Sequence, residues 1–145
     1  MNSTQTLNNL IEICKDGQEG FRDAAEHASN PTLKSLLSKY SLQRSTFAGE
    51  LQEFVIDQGE EPEKNSSVAS AVHRGWINLK SAITNGGDHA ILEECERGED
   101  HAVEAYENAL EEEIPEHIRE VIATQSAAVL EAHNDIRDRR DLSLA

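Results

Sequence analysis

The chain has 145 residues, a length that suits one domain, 1–145, and leaves no room for a two-domain enzyme. Thirteen Lys and Arg against 28 Asp and Glu give a formal net charge of −15, so the surface repels phosphate backbones and anionic lipid, and neither nucleic acid nor membrane is an expected partner. An apolar content of 37%, an aromatic content of 4% and only three prolines describe a lean core without the turns of a many-stranded sandwich or barrel, and the composition leans helical.

Residues 1–6 are polar and uncharged, without the basic and apolar stretches of a secretory signal, and charges interrupt every later hydrophobic run. Cys14 and Cys95 match neither a CxxC motif nor a disulfide framework, so buried free thiols and a cytoplasmic location are expected. From Leu7, apolar or small positions recur at Leu10, Ile11, Cys14, Phe21, Ala24, Ala25 and Ala28, the stripe of one long amphipathic helix that keeps its phase across Asp16-Gly17. Asn30-Pro31 marks a tight break, with Asn30 as N-cap and Pro31 at the first helical position. A second helix follows through Leu33, Leu36, Leu37, Tyr40, Phe47, Leu51 and Phe54 and stops near Gln58-Gly59, so the two helices are antiparallel neighbours.

Glu60 to Ser67 reads as a loop containing Pro62 and ending in an N-cap at Ser66 or Ser67. A shorter helix carries Val72, Trp76, Leu79 and Ile83 and is closed by Asn85-Gly86-Gly87. A fourth helix is predicted from Asp88 to about Glu113, with Ile91, Cys95, Gly98, Ala102, Ala105, Tyr106 and Ala109 inward. A fifth starts around Pro115, turns Ile118, Val121, Ile122, Ala128, Val129, Ala132 and Ile136 inward, and frays from Arg137 to Asp141. Four long helices with a short one between the second and third describe an all-α, ferritin-like four-helix bundle with one crossover; a five-helix globule is the alternative.

Three stretches, LNNLIEICKDGQEGFRDAAE at 7–26, ECERGEDHAVEAYENAL at 94–110 and HNDIRDRRD at 133–141, resemble a family of uncharacterised bacterial proteins with a ferritin-like four-helix-bundle domain of unknown function. The resemblance extends over essentially the whole chain. It implies a ferritin-like fold and a bacterial origin, and it brings no established activity and no catalytic residues to carry over.

Di-iron bundles take one Glu from each of two helices and a Glu-x-x-His from each of the others, because i and i+3 share a face and reach the same ions. The residues three before the six histidines are Ala24, Ser70, Gly86, Gly98, Ile114 and Leu130, so no Glu-x-x-His exists. Glu-x-x-Glu occurs at Glu50 and Glu53, Glu93 and Glu96, Glu96 and Glu99, and Glu104 and Glu107, which solvated faces of so acidic a chain also produce. Helical phase places Gln18, Gln43, Glu99, His101 and Gln125 near one middle layer if the crossover traverses the bundle. There they form either a hydrogen-bonded network that sets helix register or a ligand site, glutamine being a poor metal ligand because it brings no charge. Glu94 and His133 are expected at similar heights on neighbouring helices, where they could share a metal, joined by Glu50 and Glu53 if the crossover does not traverse. Iron, zinc and manganese are the candidate metals.

Gly17, Gly49, Gly75 and Gly98 interrupt helices at about 1 kcal/mol each and point to close approach of a neighbour, while Trp76 is expected to seal the core. No phosphate loop, nucleophile elbow or Cys-His nucleophile spacing occurs. The expectation is a non-catalytic bundle with a structural, interaction or stress-linked role, self-associating to cover a lean core. The alternatives are a metal-dependent oxidoreductase or metal-binding protein drawing on Glu50, Glu53, Glu94, Glu99, His101 and His133, and an acidic partner for a basic protein.

Overall fold

A computed structural model describes residues 2–61 and 75–143, and among the described residues every regular element is an α-helix. They are α1 (Ser3–His27), α2 (Pro31–Asp57), α3 (Leu79–Asn85), α4 (Gly87–Leu110) and α5 (Glu116–Leu142). The cap expected at Ser66 or Ser67, and Val72 of the crossover stripe, lie outside the described residues.

Local chemistry sets the helix ends. Asn2 caps α1 reciprocally: its side chain accepts from Gln5 N at 2.8 Å, and Gln5 Oε1 accepts from Asn2 N at 3.2 Å. Asn30 accepts from Leu33 N at 3.0 Å with Pro31 opening α2, as the sequence predicts. Gly59 and Gly87 take φ of +78° and +72°, a conformation other residues rarely adopt, just past α2 and at the start of α4. The glycine at 17 leaves α1 unbroken.

The ends of the helices give the direction of the crossover. Asp88, in the first turn of α4, accepts from Ser29 N at 2.7 Å and Asn30 N at 3.0 Å, which places the start of α4 beside the α1–α2 turn. At the other end of the bundle, Thr4 of α1 donates to the Gln58 amide oxygen at 2.9 Å. The chain between α2 and α4 therefore travels the length of the bundle, and α2 runs parallel to α4 while α1 and α5 run the opposite way. The molecule consists of two antiparallel hairpins, α1/α2 and α4/α5, docked on each other. None of the described helices is long and apolar enough to cross a membrane.

The apolar interior forms two clusters. The one toward the N-terminus of α1 contains Leu7, Leu10, Ile11, Cys14, Leu51, Val55, Tyr106, Ile118, Ile122 and Val129. The one toward Asn30 contains Phe21, Leu33, Leu37, Tyr40, Leu79, Ile91, Leu92, Cys95 and Ile136, with Trp76 against it. Trp76 lies between Gly20 and Gly98: a Cβ on either would sit 2.4 Å or 2.2 Å from the indole, so both helices need glycine for the ring to enter. Phe21 meets that ring edge-on at 5.2 Å between centroids. Gly17 faces the Arg44 side chain, whereas a Cβ on Gly49 would touch nothing within 4 Å.

Three expected boundaries move. The crossover helix begins at Leu79, so Gly75 and Trp76, expected on it, lie in the turn before it. α4 ends at Leu110 rather than near Glu113, where Arg119 donates to the carbonyls of Leu110 and Glu112 and closes the turn. α5 does not fray at Arg137: it continues to Leu142, because Arg139 pairs with Asp135 one turn back at 3.1 Å and Arg140 pairs with Glu96 of α4.

Candidate functional site

Between the two apolar clusters lies a charged pair. Arg44 of α2 and Glu99 of α4 are 1% and 0% exposed, and the guanidinium donates to both carboxylate oxygens, with Nη2 to Oε2 at 2.6 Å. Gln43 accepts from Arg44 Nε at 3.2 Å, and the guanidinium lies 5.3 Å from the centre of the Phe21 ring. Burial pushes the Arg44 pKa down, but the charge and hydrogen bonds of Glu99 outweigh it and the net shift is upward. Arg44 stays charged, and Glu99 is charge-balanced from within the chain.

About one turn toward the Ser3 end, a second network crosses the interior. The Cys14 Sγ lies 3.1 Å from the Tyr106 hydroxyl, which donates to Gln125 Oε1 at 2.7 Å; Gln125 Nε2 donates to Glu50 Oε1 at 2.8 Å at the surface. Burial pushes the Cys14 thiol up to about 11, against smaller lowering by the Tyr106 hydrogen bond and the Arg44 charge. Tyr106 is raised well above the ordinary phenol by burial and then by Cys14, and Cys95 is raised by burial and by Glu99 and Glu94. These thiols are free, buried and held protonated, a poor setting for nucleophiles. On the neighbouring face Tyr40 donates to Asp135 at 2.6 Å, and its pKa is raised by burial and by that bond.

The five residues assigned to one layer thus divide between different settings. Gln43 and Glu99 meet at Arg44, which the sequence reading missed. Gln125 belongs to the Tyr106 network. Gln18 contributes its backbone carbonyl, which accepts from Ser41 at 2.8 Å, and half-buried His101 joins neither network. The signal for Arg44 was present: the α2 stripe jumps from Tyr40 to Phe47, and position 44 fills the gap at helical spacing.

Glu94 and His133 do not pair. Glu94 binds Arg97 on its own helix, and His133 contacts Asp100 at 2.6 Å and Asn134 at 3.2 Å. Side chains lean toward the N-terminus of their helix, so on antiparallel α4 and α5 an α4 residue meets one about a turn further along α5 than Cα levels suggest. Glu94 is nonetheless buried, and its Oε2 has no hydrogen-bond partner among the described residues. The traversing crossover leaves Glu50 and Glu53 exposed toward the opposite end of the bundle. Among the described residues, no group of three or more His, Cys, Asp or Glu is arranged to hold a metal ion.

At the end of α5, Ser143, His89 and Glu93 follow one another, with His89 Nδ1 2.5 Å from the Ser143 hydroxyl and Nε2 2.9 Å from Glu93. The order imitates nucleophile, base and acid. The Ser143 proton, however, goes to the Arg140 carbonyl at 2.6 Å, so the imidazole is not placed to take it.

No curated protein matches the chain. The interior described above, apart from the contributions of α5, falls within residues 2–112, which match the model of a family described as a domain of unknown function, DUF2383, and the chain belongs to that family.

Proposed function

We propose that the protein is a ferritin-like four-helix bundle of a bacterial cytoplasm, one domain in extent, that acts through its surfaces in a structural or interaction role and performs no catalysis. One observation carries this reading: the inward carboxylate at mid-bundle, Glu99, is bound on both oxygens by the buried guanidinium of Arg44. A metal ion there would have to displace a fixed, permanently charged ligand from its only inward carboxylate partner, and the surrounding Gln43 and Gln125 offer no charge in exchange. The helix order with its long crossover and the two buried thiols agree with the fold and compartment. The net charge of −15 favours a basic protein over nucleic acid as an outside partner.

The test is elemental analysis of protein purified from its own host without chelator. Iron, zinc and manganese are each expected far below one equivalent per chain; an equivalent that survives dialysis overturns the proposal. A second reading, an atypical metal site, draws on the unpartnered Oε2 of buried Glu94, and it requires bound metal that is lost in Glu94→Ala.

A further inference from the structure

The outward face of α2 differs from the rest of this acidic molecule. With Arg44 buried against Glu99, the remaining charges of α2 are Lys34 and Lys39 against Glu50, Glu53 and Asp57, an excess of one acid in a chain of −15. Leu42 and Ile56 stand out from it, 69% and 54% exposed, without burial against any other helix. They lie seven residues on either side of Gly49, and a seven-residue step returns to the same helix face. A side chain at 49 would meet nothing within 4 Å among the described residues, so packing against them gives no reason for a glycine in mid-helix there.

We propose that α2 pairs with α2 of a second copy, antiparallel about a twofold axis at Gly49. In that arrangement Leu42 packs on the partner's Ile56 and Ile56 on the partner's Leu42, the repeated contact that an isologous interface requires. The missing Cβ atoms at the axis let the two backbones approach closely. Charge selects the direction: exposed Lys39 and half-buried Lys34, whose ammonium donates to the carbonyls of Glu26 and Ala28, lie in the first half of α2 and the exposed acids Glu50, Glu53 and Asp57 in the second. Antiparallel pairing sets unlike charges together, and Lys39 and Asp57 occupy the same flank of the helix, where each faces the other's counterpart in the partner. Parallel pairing would set like against like. Two copies of a strongly acidic chain meet with least repulsion on the long helix whose outward charges most nearly balance. The inference does not depend on whether the interior binds metal.

Sedimentation of the full chain tests it. Wild type is expected at twice the chain mass and Leu42→Glu/Ile56→Glu at the chain mass, with helix content unchanged because both positions are exposed. Lys39→Glu and Asp57→Lys should each weaken the dimer several-fold, and Lys39→Glu/Asp57→Lys should restore it. Under mild oxidation Gly49→Cys should give a covalent dimer, since the two equivalent positions meet at the axis, while wild type with its buried Cys14 and Cys95 should not. A monomer at every concentration overturns the proposal and leaves the face to a different occupant. A dimer indifferent to Leu42→Glu/Ile56→Glu overturns it as well.

Discussion

Arg44 brings a full charge into the bundle interior between two apolar clusters, and its effect depends on Glu99. Removing one member leaves the other buried without a counter-charge, so Glu99→Leu is expected to cost about 3–5 kcal/mol in urea unfolding at neutral pH. Replacing both, Arg44→Met/Glu99→Leu, should return stability to within about 1 kcal/mol of wild type or above it, because two desolvation penalties disappear with the attraction that offset them. A double variant as weak as Glu99→Leu would show that shape at this position matters more than charge. Cys14 gives a second prediction. Its folded pKa is raised to about 11 from an ordinary 9.0, so the unfolded chain releases that proton first. The contribution is complete below pH 9 and is lost as pH rises through 11; the urea midpoint should fall over that range, less steeply in Cys14→Ala. Much of this residue-level chemistry was hidden in the sequence. The helical spacing that marks position 44 as inward is readable, but its partner is set by how α2 and α4 sit against each other, which no local pattern encodes.

At the level of elements, local signals were dependable where the chemistry was local. Asn30-Pro31 and Asn85-Gly86-Gly87 announced their breaks because caps and positive φ are properties of a few adjacent residues. Pairing across α4 and α5 was misread by about one turn, because side-chain lean accumulates over two helices, and the end of α5 was misread because Arg140 is anchored by Glu96 on another helix. Trp76 ties the crossover to the bundle. A helical Gly→Ala change ordinarily stabilises by about 1 kcal/mol, yet at Gly98 the new methyl would stand 2.2 Å from the indole. Overpacking costs about 1–3 kcal/mol, so packing should win and Gly98→Ala should destabilise. As the chain has one tryptophan, its emission should shift to the red as the ring is forced toward water. Unchanged emission with raised stability would place the ring elsewhere in solution.

For the molecule as a whole, a charge of −15 means that folding gathers like charges together. Raising ionic strength from about 0.01 M to about 0.15 M shortens the screening length from about 30 Å to about 8 Å, so Tm should rise by a few degrees in scanning calorimetry. A Tm that falls with salt would show that attractive pairs such as Arg140 with Glu96 dominate the surface. The hairpin architecture has a consequence for how alternatives are rejected. Each hairpin can zip from neighbouring segments, and the late event is the meeting of the two. The contacts of Arg44, Tyr40, Cys14 and Glu50 with α4 and α5 all cross that seam. Rotating one hairpin by a single ridge would preserve most greasy contact while stranding a guanidinium in hydrocarbon. An interaction that adds little to the depth of the native well therefore raises the floor of its competitors and widens the gap between them. Arg44→Met/Glu99→Leu should consequently remain stable yet show doubled backbone amide resonances from coexisting dockings; a single set would assign the choice of docking to the apolar seams.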